Sequence, residues 1–207
     1  MSQKKAVPLF CEFIDASILE ERTLAGMLHV ATLGPAGTSS EGAANYLVEK
    51  LKKELGLPGK VTLYESFESA ADAVLTGRES ATLVANAYAN IHRTYMEPRL
   101  KLAGAFIRNT PPYGIAAADK VPIPLEVRIT THPAPLPLIQ ELLPPAFLLK
   151  EIIAVSSTSE AARRVAERKV DLALTNESSA LQYHLRFVSS TRPIEMLWSV
   201  FVRHSLT

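Results

Sequence analysis

The chain has 207 residues, 47% of them hydrophobic and 21% charged, enough to bury a core as one large domain or two small lobes. Its 22 basic and 21 acidic side chains nearly cancel, so no overall field draws in nucleic acid or an anionic membrane, and an anionic ligand must be held by local features. The lone Cys11 excludes an intramolecular disulfide framework and a cysteine-rich metal site, and it suits a reducing cytoplasm.

Residues 1–28 read as an N-terminal extension. Lys4 and Lys5 precede only a brief apolar patch that Glu12 and Asp15 interrupt, which is not the pattern of an export signal. Phe10, Phe13, Ile14, Ile18 and Leu19 are spaced for a short packing helix, and no stretch reaches the length of a membrane span. The short run His29-Val30-Ala31-Thr32-Leu33 predicts a buried strand over 29–34. Gly34-Pro35-Ala36-Gly37-Thr38-Ser39-Ser40-Glu41 follows, and then a helix over 39–55 with Ala43, Ala44, Leu47, Val48 and Leu51 on one face. Thr38 and Glu41 have capping-box spacing, the hydroxyl on one backbone donor and the carboxylate reaching back to another. Two glycines let the backbone turn sharply, and the orphan N–H groups at the helix start form an anion cradle. An ordinary strand-to-helix turn has the same pattern.

Further strands are expected at 61–65, 81–85, 100–108, 113–118, 127–131, 151–156, 170–175, 186–190 and 195–203, and helices at 67–76, 87–95, 135–143, 158–168 and 177–184. This alternation implies an α/β protein with a parallel or mixed sheet, its ligands outside the carboxyl ends of strands. Pro122-Ile123-Pro124 and Pro144-Pro145 mark loops, and no solenoid repeat is present. Around Asn109-Thr110-Pro111-Pro112 the chain makes either an antiparallel excursion or a crossing between lobes. In the second case residues 29–107 with 185–207 form one lobe, 108–184 form the other, and the ligand lies between them. Two later helix starts repeat the cradle: Ser156-Ser157-Thr158-Ser159-Glu160, again with capping-box spacing, and Thr175-Asn176-Glu177-Ser178-Ser179. Converging, these termini suit a ligand with more than one carboxylate; taken singly, each is also a plain N-cap.

Gly34-Pro35-x-Gly37-Thr38-x-Ser40-x-x-Ala43-Ala44 resembles the opening signature of the prephenate dehydratase family. So do Ser66-Phe67-Glu68, Thr131-His132-Pro133-x-x-Leu136 and Ser157-Thr158-Ser159-x-Ala161-Ala162, in family order, the whole resemblance covering residues 29–203. It implies a two-lobed α/β fold like the type II periplasmic binding proteins, with mixed sheets and an interlobe cleft, cytoplasmic, dimeric, and free of cofactor and metal. The ligand implied is prephenate, a cyclohexadienol dicarboxylate. The substrate-binding residues expected on this basis are Thr38, Ser39, Ser40, Ser66, Phe67, Ser157, Thr158, Ser159, Asn176 and Ser199. Arg108 joins them as a partner for a substrate carboxylate or, equally, as half of an interlobe salt bridge.

Two departures change the expected reaction. The family's Glu-Asn-Ser motif is replaced by Asn86-Ala87-Tyr88-Ala89-Asn90, and Trp198-Ser199 stand where its Thr-Arg pair should be. The threonine is the family's expected acid for expelling the ring hydroxyl, and an indole N–H is a donor only, unable to take its place at neutral pH. Tyr88, Tyr95-Met96-x-Pro98, Thr110-Pro111-x-Tyr113-Gly114, Thr175-Asn176-Glu177 and Met196-x-Trp198-Ser199-x-Phe201 are similar to a smaller offshoot, the prephenate decarboxylases of bacilysin, aeruginosin and salinosporamide biosynthesis. That resemblance implies loss of carbon dioxide with the hydroxyl retained, giving a dihydro-4-hydroxyphenylpyruvate, a precursor of nonproteinogenic amino acids. Trp198 then withholds a proton from the hydroxyl and closes apolar surface over the ring. His132, Tyr88, Glu68 and Glu177 are the candidates for protonating a ring carbon, against their plainer roles as a turn residue, a core tyrosine and two helix-start carboxylates. His92 and His184 belong to helix surfaces without metal-ligand spacing, and no regulatory domain is expected. The rival functions are a divergent prephenate or arogenate dehydratase and a non-catalytic small-anion-binding protein.

Overall fold

The computed structural model describes residues 12–204, so Cys11, Phe10, Lys4 and Lys5 lie outside the described residues. The first half of the chain runs β1 (Glu12–Ile14), α1 (Ala16–Glu21), β2 (Leu28–Leu33), α2 (Ser39–Leu55), β3 (Gly59–Tyr64), α3 (Phe67–Leu75), β4 (Ala81–Ala85), α4 (Ile91–Met96) and β5 (Leu100–Asn109). The second continues with β6 (Tyr113–Ala118), β7 (Glu126–Thr131), α5 (Leu138–Leu142), β8 (Leu148–Ala154), α6 (Thr158–Ala166), β9 (Leu172–Asn176), α7 (Glu177–Gln182), β10 (Leu185–Phe187) and β11 (Glu195–Arg203).

Two mixed sheets result. The first has the order β1-β5-β11-β4-β2-β3, with β2 parallel to β3 and β4 while β11 runs antiparallel between β4 and β5. The second has the order β10-β6-β9-β7-β8, with β7 parallel to β8 and β9. One face of the first sheet packs Leu28, Val30, Leu83, Phe106, Trp198 and Val200 beneath the apolar stripe of α2, and the other packs Val84 and Phe201 against Phe67 and Val74 of α3. Ile115, Val127, Ile129, Leu172 and Leu174 form the core of the second sheet. A fully buried side chain of this kind contributes ~1.5–3 kcal/mol, so each sheet carries its own cohesion.

The halves are joined where the chain crosses twice. The Thr110 N–H donates to the Ile194 carbonyl at 2.9 Å and the Ile194 N–H to Thr110 Oγ1 at 3.1 Å. Tyr113 and Arg192 exchange N–H···O bonds at 2.8 and 2.9 Å. The Asn109–Pro112 segment is therefore one of two crossing strands.

Local chemistry explains where the elements depart from expectation. Residues 12–21 form β1 and α1 rather than one helix, because Phe13 pairs with Ala105 at the sheet edge and the Asp15 carboxylate caps the turn at Ile18. Pro135 and Pro137 lack N–H donors, and α5 begins only at Leu138. α4 begins at Ile91 rather than at 87, after a turn in which the Tyr88 N–H bonds to the Ala85 carbonyl. Residues 185–187, expected with the first lobe, pair as β10 with β6 of the second sheet.

Candidate active site

A cavity of about 480 Å³ lies between the two sheets, outside the carboxyl ends of β2, β4, β7 and β8. Two helix starts face it, one from each half: Thr38, Ser39 and Ser40 at α2, and Ser157 and Thr158 at α6. Each N-cap hydroxyl accepts a backbone N–H, Thr38 from Glu41 at 3.3 Å and Ser157 from Glu160 at 3.0 Å. Helix geometry leaves the N–H groups of Ser39 and Ser40, and of Thr158 and Ser159, without intrahelical partners. Each helix start stabilises an anion by ~0.3–1 kcal/mol, and by up to ~2 kcal/mol when partly buried.

Neither capping carboxylate behaves as its spacing suggests. Glu41 reaches one residue further back and accepts the Gly37 N–H at 2.7 Å. Glu160 turns outward to Arg163 at 2.8 and 2.9 Å and to Arg164 at 3.0 Å, which draws its charge away from the cavity. The third helix start is already engaged. The Glu177 N–H donates to the Pro112 carbonyl at 2.8 Å, the Ser179 N–H to Asn176 Oδ1 at 2.8 Å, and the Glu177 residue is exposed away from the cavity.

The Gly34–Ser39 loop is also where the halves meet. Ser159 Oγ donates to the Ala36 carbonyl and Ser179 Oγ to the Gly37 carbonyl, both at 3.1 Å. Asn176 Nδ2 donates to Ser39 Oγ, and Ser39 Oγ shares a hydrogen bond with Tyr113 Oη, both at 3.2 Å. Gly37 has φ +84°, and a Cβ there would collide with Gln182 Oε1. Its glycine is required by the backbone, since the exposed Gln182 side chain can turn aside.

Phe67, Tyr88, Met196 and Trp198 supply apolar wall. Trp198 is buried, and its one N–H donates to the Arg108 carbonyl at 3.3 Å. Tyr88 packs on Phe67 with ring centroids 4.8 Å apart and donates its hydroxyl hydrogen to the Glu68 carboxylate, whose oxygens lie at 2.8 and 3.0 Å. Burial and that carboxylate both raise the phenol's pKa. His132 lies against the cavity with Nδ1 accepting the Ala134 N–H at 3.2 Å, which puts the proton of the neutral ring on Nε2. Burial holds its pKa below the ordinary value.

The structure thus brings Thr38, Ser39, Ser40, Phe67, Tyr88, His132, Ser157, Thr158 and Trp198 to one cavity, with Glu68 behind Tyr88. Ser159 and Asn176 face the seam between the halves instead. Ser66 is closed on itself in a capping box with Ser69. Arg108 stacks its guanidinium 4.4 Å from the Tyr46 ring centre, away from the cavity. Ser199 is buried on the opposite side of β11 from Trp198, sharing a 2.8 Å hydrogen bond with Tyr95 and donating to Asn86 at 3.0 Å. Tyr113 and Thr110 line the cavity without having been singled out as site residues. Both belong to the Thr110-Pro111-x-Tyr113-Gly114 motif, which was the available signal, although Tyr113 also opens an apolar run that reads simply as core.

No charged side chain lines the cavity among the described residues; Tyr88, Tyr113 and His132 are its titratable groups. Such a site can hold carboxylates on helix starts and hydroxyls and can offer weak acids, but no carboxylic acid or ammonium.

No protein-family model matches the chain. It is 37% identical over 185 residues to a prephenate decarboxylase of Bacillus subtilis (strain 168), covering 86% of this chain and 88% of the relative. It is 40% identical over 177 residues to a prephenate decarboxylase of Planktothrix agardhii (strain NIVA-CYA 126/8), covering 84% and 87%. Among solved structures, the prephenate dehydratase of Arthrobacter aurescens in complex with L-Phe superposes with a TM-score of 0.62 at 17% identity, over 86% of this chain and 61% of that one. A periplasmic substrate-binding protein of an ABC transporter from Coxiella burnetii gives 0.54 at 15% identity, over 86% and 84%. The fold is therefore that of the prephenate dehydratases and the type II periplasmic binding proteins.

Proposed function

The chain belongs to the prephenate decarboxylase family, and from that premise we propose that it removes the ring carboxylate of prephenate as carbon dioxide while the ring hydroxyl stays in place. The bond between the quaternary ring carbon and the carboxylate breaks, and its electron pair becomes a new ring double bond. The neighbouring double bond yields its pair to the carbon beside the hydroxyl-bearing one, which takes up a proton. The product is a dihydro-4-hydroxyphenylpyruvate, suited to becoming a nonproteinogenic amino acid in natural-product biosynthesis. No cofactor takes part.

One observation carries the reading: Trp198 walls the cavity with its only N–H already donated to the Arg108 carbonyl. Aromatisation would require an acid at the hydroxyl, and among the described residues neither the indole nor any ionisable acid stronger than a phenol or imidazole lines that space. The donors at the α2 and α6 starts hold the pyruvyl carboxylate, and the ring carboxylate faces Phe67, Met196 and Trp198, where its charge is poorly solvated and easily lost. His132 and the Tyr88–Glu68 pair border the ring.

A cytoplasmic location, two lobes built on the two sheets, and a homodimer belong to the same proposal. The dimer is supported by the edge strand β8, where Leu148 and Leu149 are 55% and 43% exposed.

Incubation with prephenate, followed by mass and ultraviolet absorbance of the product, tests the reaction. The expected product has lost carbon dioxide alone and retains a non-aromatic ring. Phenylpyruvate would instead establish a dehydratase, and unconsumed prephenate that raises the melting temperature would establish a binding protein.

A further inference from the structure

Decarboxylation leaves an electron pair on a ring carbon, and the site must supply one proton to it. Among the described residues the cavity offers three titratable groups: Tyr88, His132 and Tyr113. The Tyr88 hydrogen is held by both oxygens of Glu68. His132 is neutral where Nδ1 accepts the Ala134 N–H, and a neutral imidazole N–H is a far weaker acid than a phenol. The cationic form, which would be acidic enough, is the form that burial disfavours.

Tyr113 differs from both. Its phenol is buried at the seam between the halves, on the strand that crosses between them. Its oxygen lies 3.2 Å from Ser39 Oγ of the other half, and Asn176 Nδ2 donates to that same serine oxygen at 3.2 Å. With its oxygen taken by the Asn176 amide, the Ser39 hydroxyl can turn its hydrogen to the phenol oxygen, which leaves the phenol's own hydrogen for the cavity, unlike that of Tyr88. Burial raises the phenol's pKa, so the proton stays on Tyr113 until the electron-rich ring carbon takes it.

Building on the proposed decarboxylation, we propose that Tyr113 is the catalytic acid, passing its hydroxyl proton to the ring carbon beside the hydroxyl-bearing carbon. The O–H bond breaks as the C–H bond forms, carbon dioxide carries off the carboxylate carbon, and solvent later returns a proton to the phenolate. A phenol is acidic enough for a carbon bearing an electron pair and too weak to expel a hydroxyl, so the same residue explains why the ring does not aromatise. Because its hydrogen-bond partner Ser39 belongs to the other half, the acid is set only when the halves are together.

The experiment first establishes carbon dioxide release from prephenate by the wild-type protein; its absence would defeat the functional reading and leave Tyr113 out of account. With activity in hand, Tyr113→Phe should lower kcat roughly 100- to 10,000-fold with KM changed only a few-fold. In deuterium oxide the wild type should place one deuterium on one face of that ring carbon, and the residual Tyr113→Phe product should carry it on both faces. A second variant guards against misfolding: 3-fluorotyrosine at position 113, nearly isosteric and more acidic, should move the alkaline limb of the kcat–pH profile to lower pH. Wild-type turnover by the phenylalanine variant, unchanged deuterium stereochemistry in its product, or an unmoved pH profile in the fluorotyrosine protein would each overturn the assignment.

Discussion

At the scale of single residues, Trp198 and His132 separate chemistry from packing. Trp198 both fills the core of the first sheet and walls the cavity, so Trp198→Thr removes a buried indole and restores the hydroxyl that a dehydratase would carry. We expect a loss of roughly 3–5 kcal/mol of stability and a fraction of aromatic product absent from the wild type, read from its ultraviolet spectrum. Unchanged product identity in a folded variant would remove the shielding role from the indole. His132 bears on pH. Burial depresses its folded-state pKa below 6.5, so the unfolded chain takes up the proton first as pH falls. Stability from this group is present above 6.5 and is lost as pH drops through the folded value. Urea denaturation of the wild type and His132→Gln between neutral pH and pH 5 checks this, the variant losing part of the acid-side decline.

Among the elements, the start of α2 shows how much a sequence pattern can and cannot specify. Glycines, an N-cap threonine and an apolar stripe at helical spacing were sufficient to place that helix at its observed bounds, because all of its determinants are local. The same spacing suggested carboxylates closing back on both caps, yet Glu160 turned to Arg163 and Arg164, and only the three-dimensional neighbourhood decides between those partners. Arg108 and Ser199 fell outside the cavity for a related reason. Strand alternation points Ser199 to the face opposite Trp198, whereas the guanidinium of Arg108 follows an aromatic partner, Tyr46, distant in sequence. Gly37 gives this element its test. Gly37→Ala imposes a positive φ on a residue with a Cβ, at a cost of roughly 1–2 kcal/mol, and makes the exposed Gln182 side chain turn aside. The variant should bind prephenate more weakly, and adding Gln182→Ala should restore little of the affinity, because the backbone strain remains. Isothermal titration of the single and double variants measures both effects.

Across the whole molecule, the βα order and the family resemblance pointed to two lobes with a cleft, but not to how the lobes hold each other. That depends on contacts between residues more than 100 positions apart, such as Ser159 with Ala36 and Ser179 with Gly37, which no periodicity encodes. These two bonds join the halves beside the cavity, while the Thr110–Ile194 crossing joins them through the backbone. The crossing is covalent and persists in any open form; the two serine bonds exist only when the halves meet. A hydrogen bond of this kind contributes a net ~0.5–1.5 kcal/mol, so Ser159→Ala with Ser179→Ala should shift the balance toward open forms by roughly five- to a hundred-fold. Amide hydrogen exchange over residues 34–39 should quicken accordingly, and KM for prephenate should rise, because substrate binding would then have to draw the halves together. Product identity should not change, since the cavity wall and the acid are untouched. If exchange in that loop stays at the wild-type rate, the halves are held by the backbone crossing and by the bonds of Ser39 to Asn176 and Tyr113, and the two buried serines add nothing to closure.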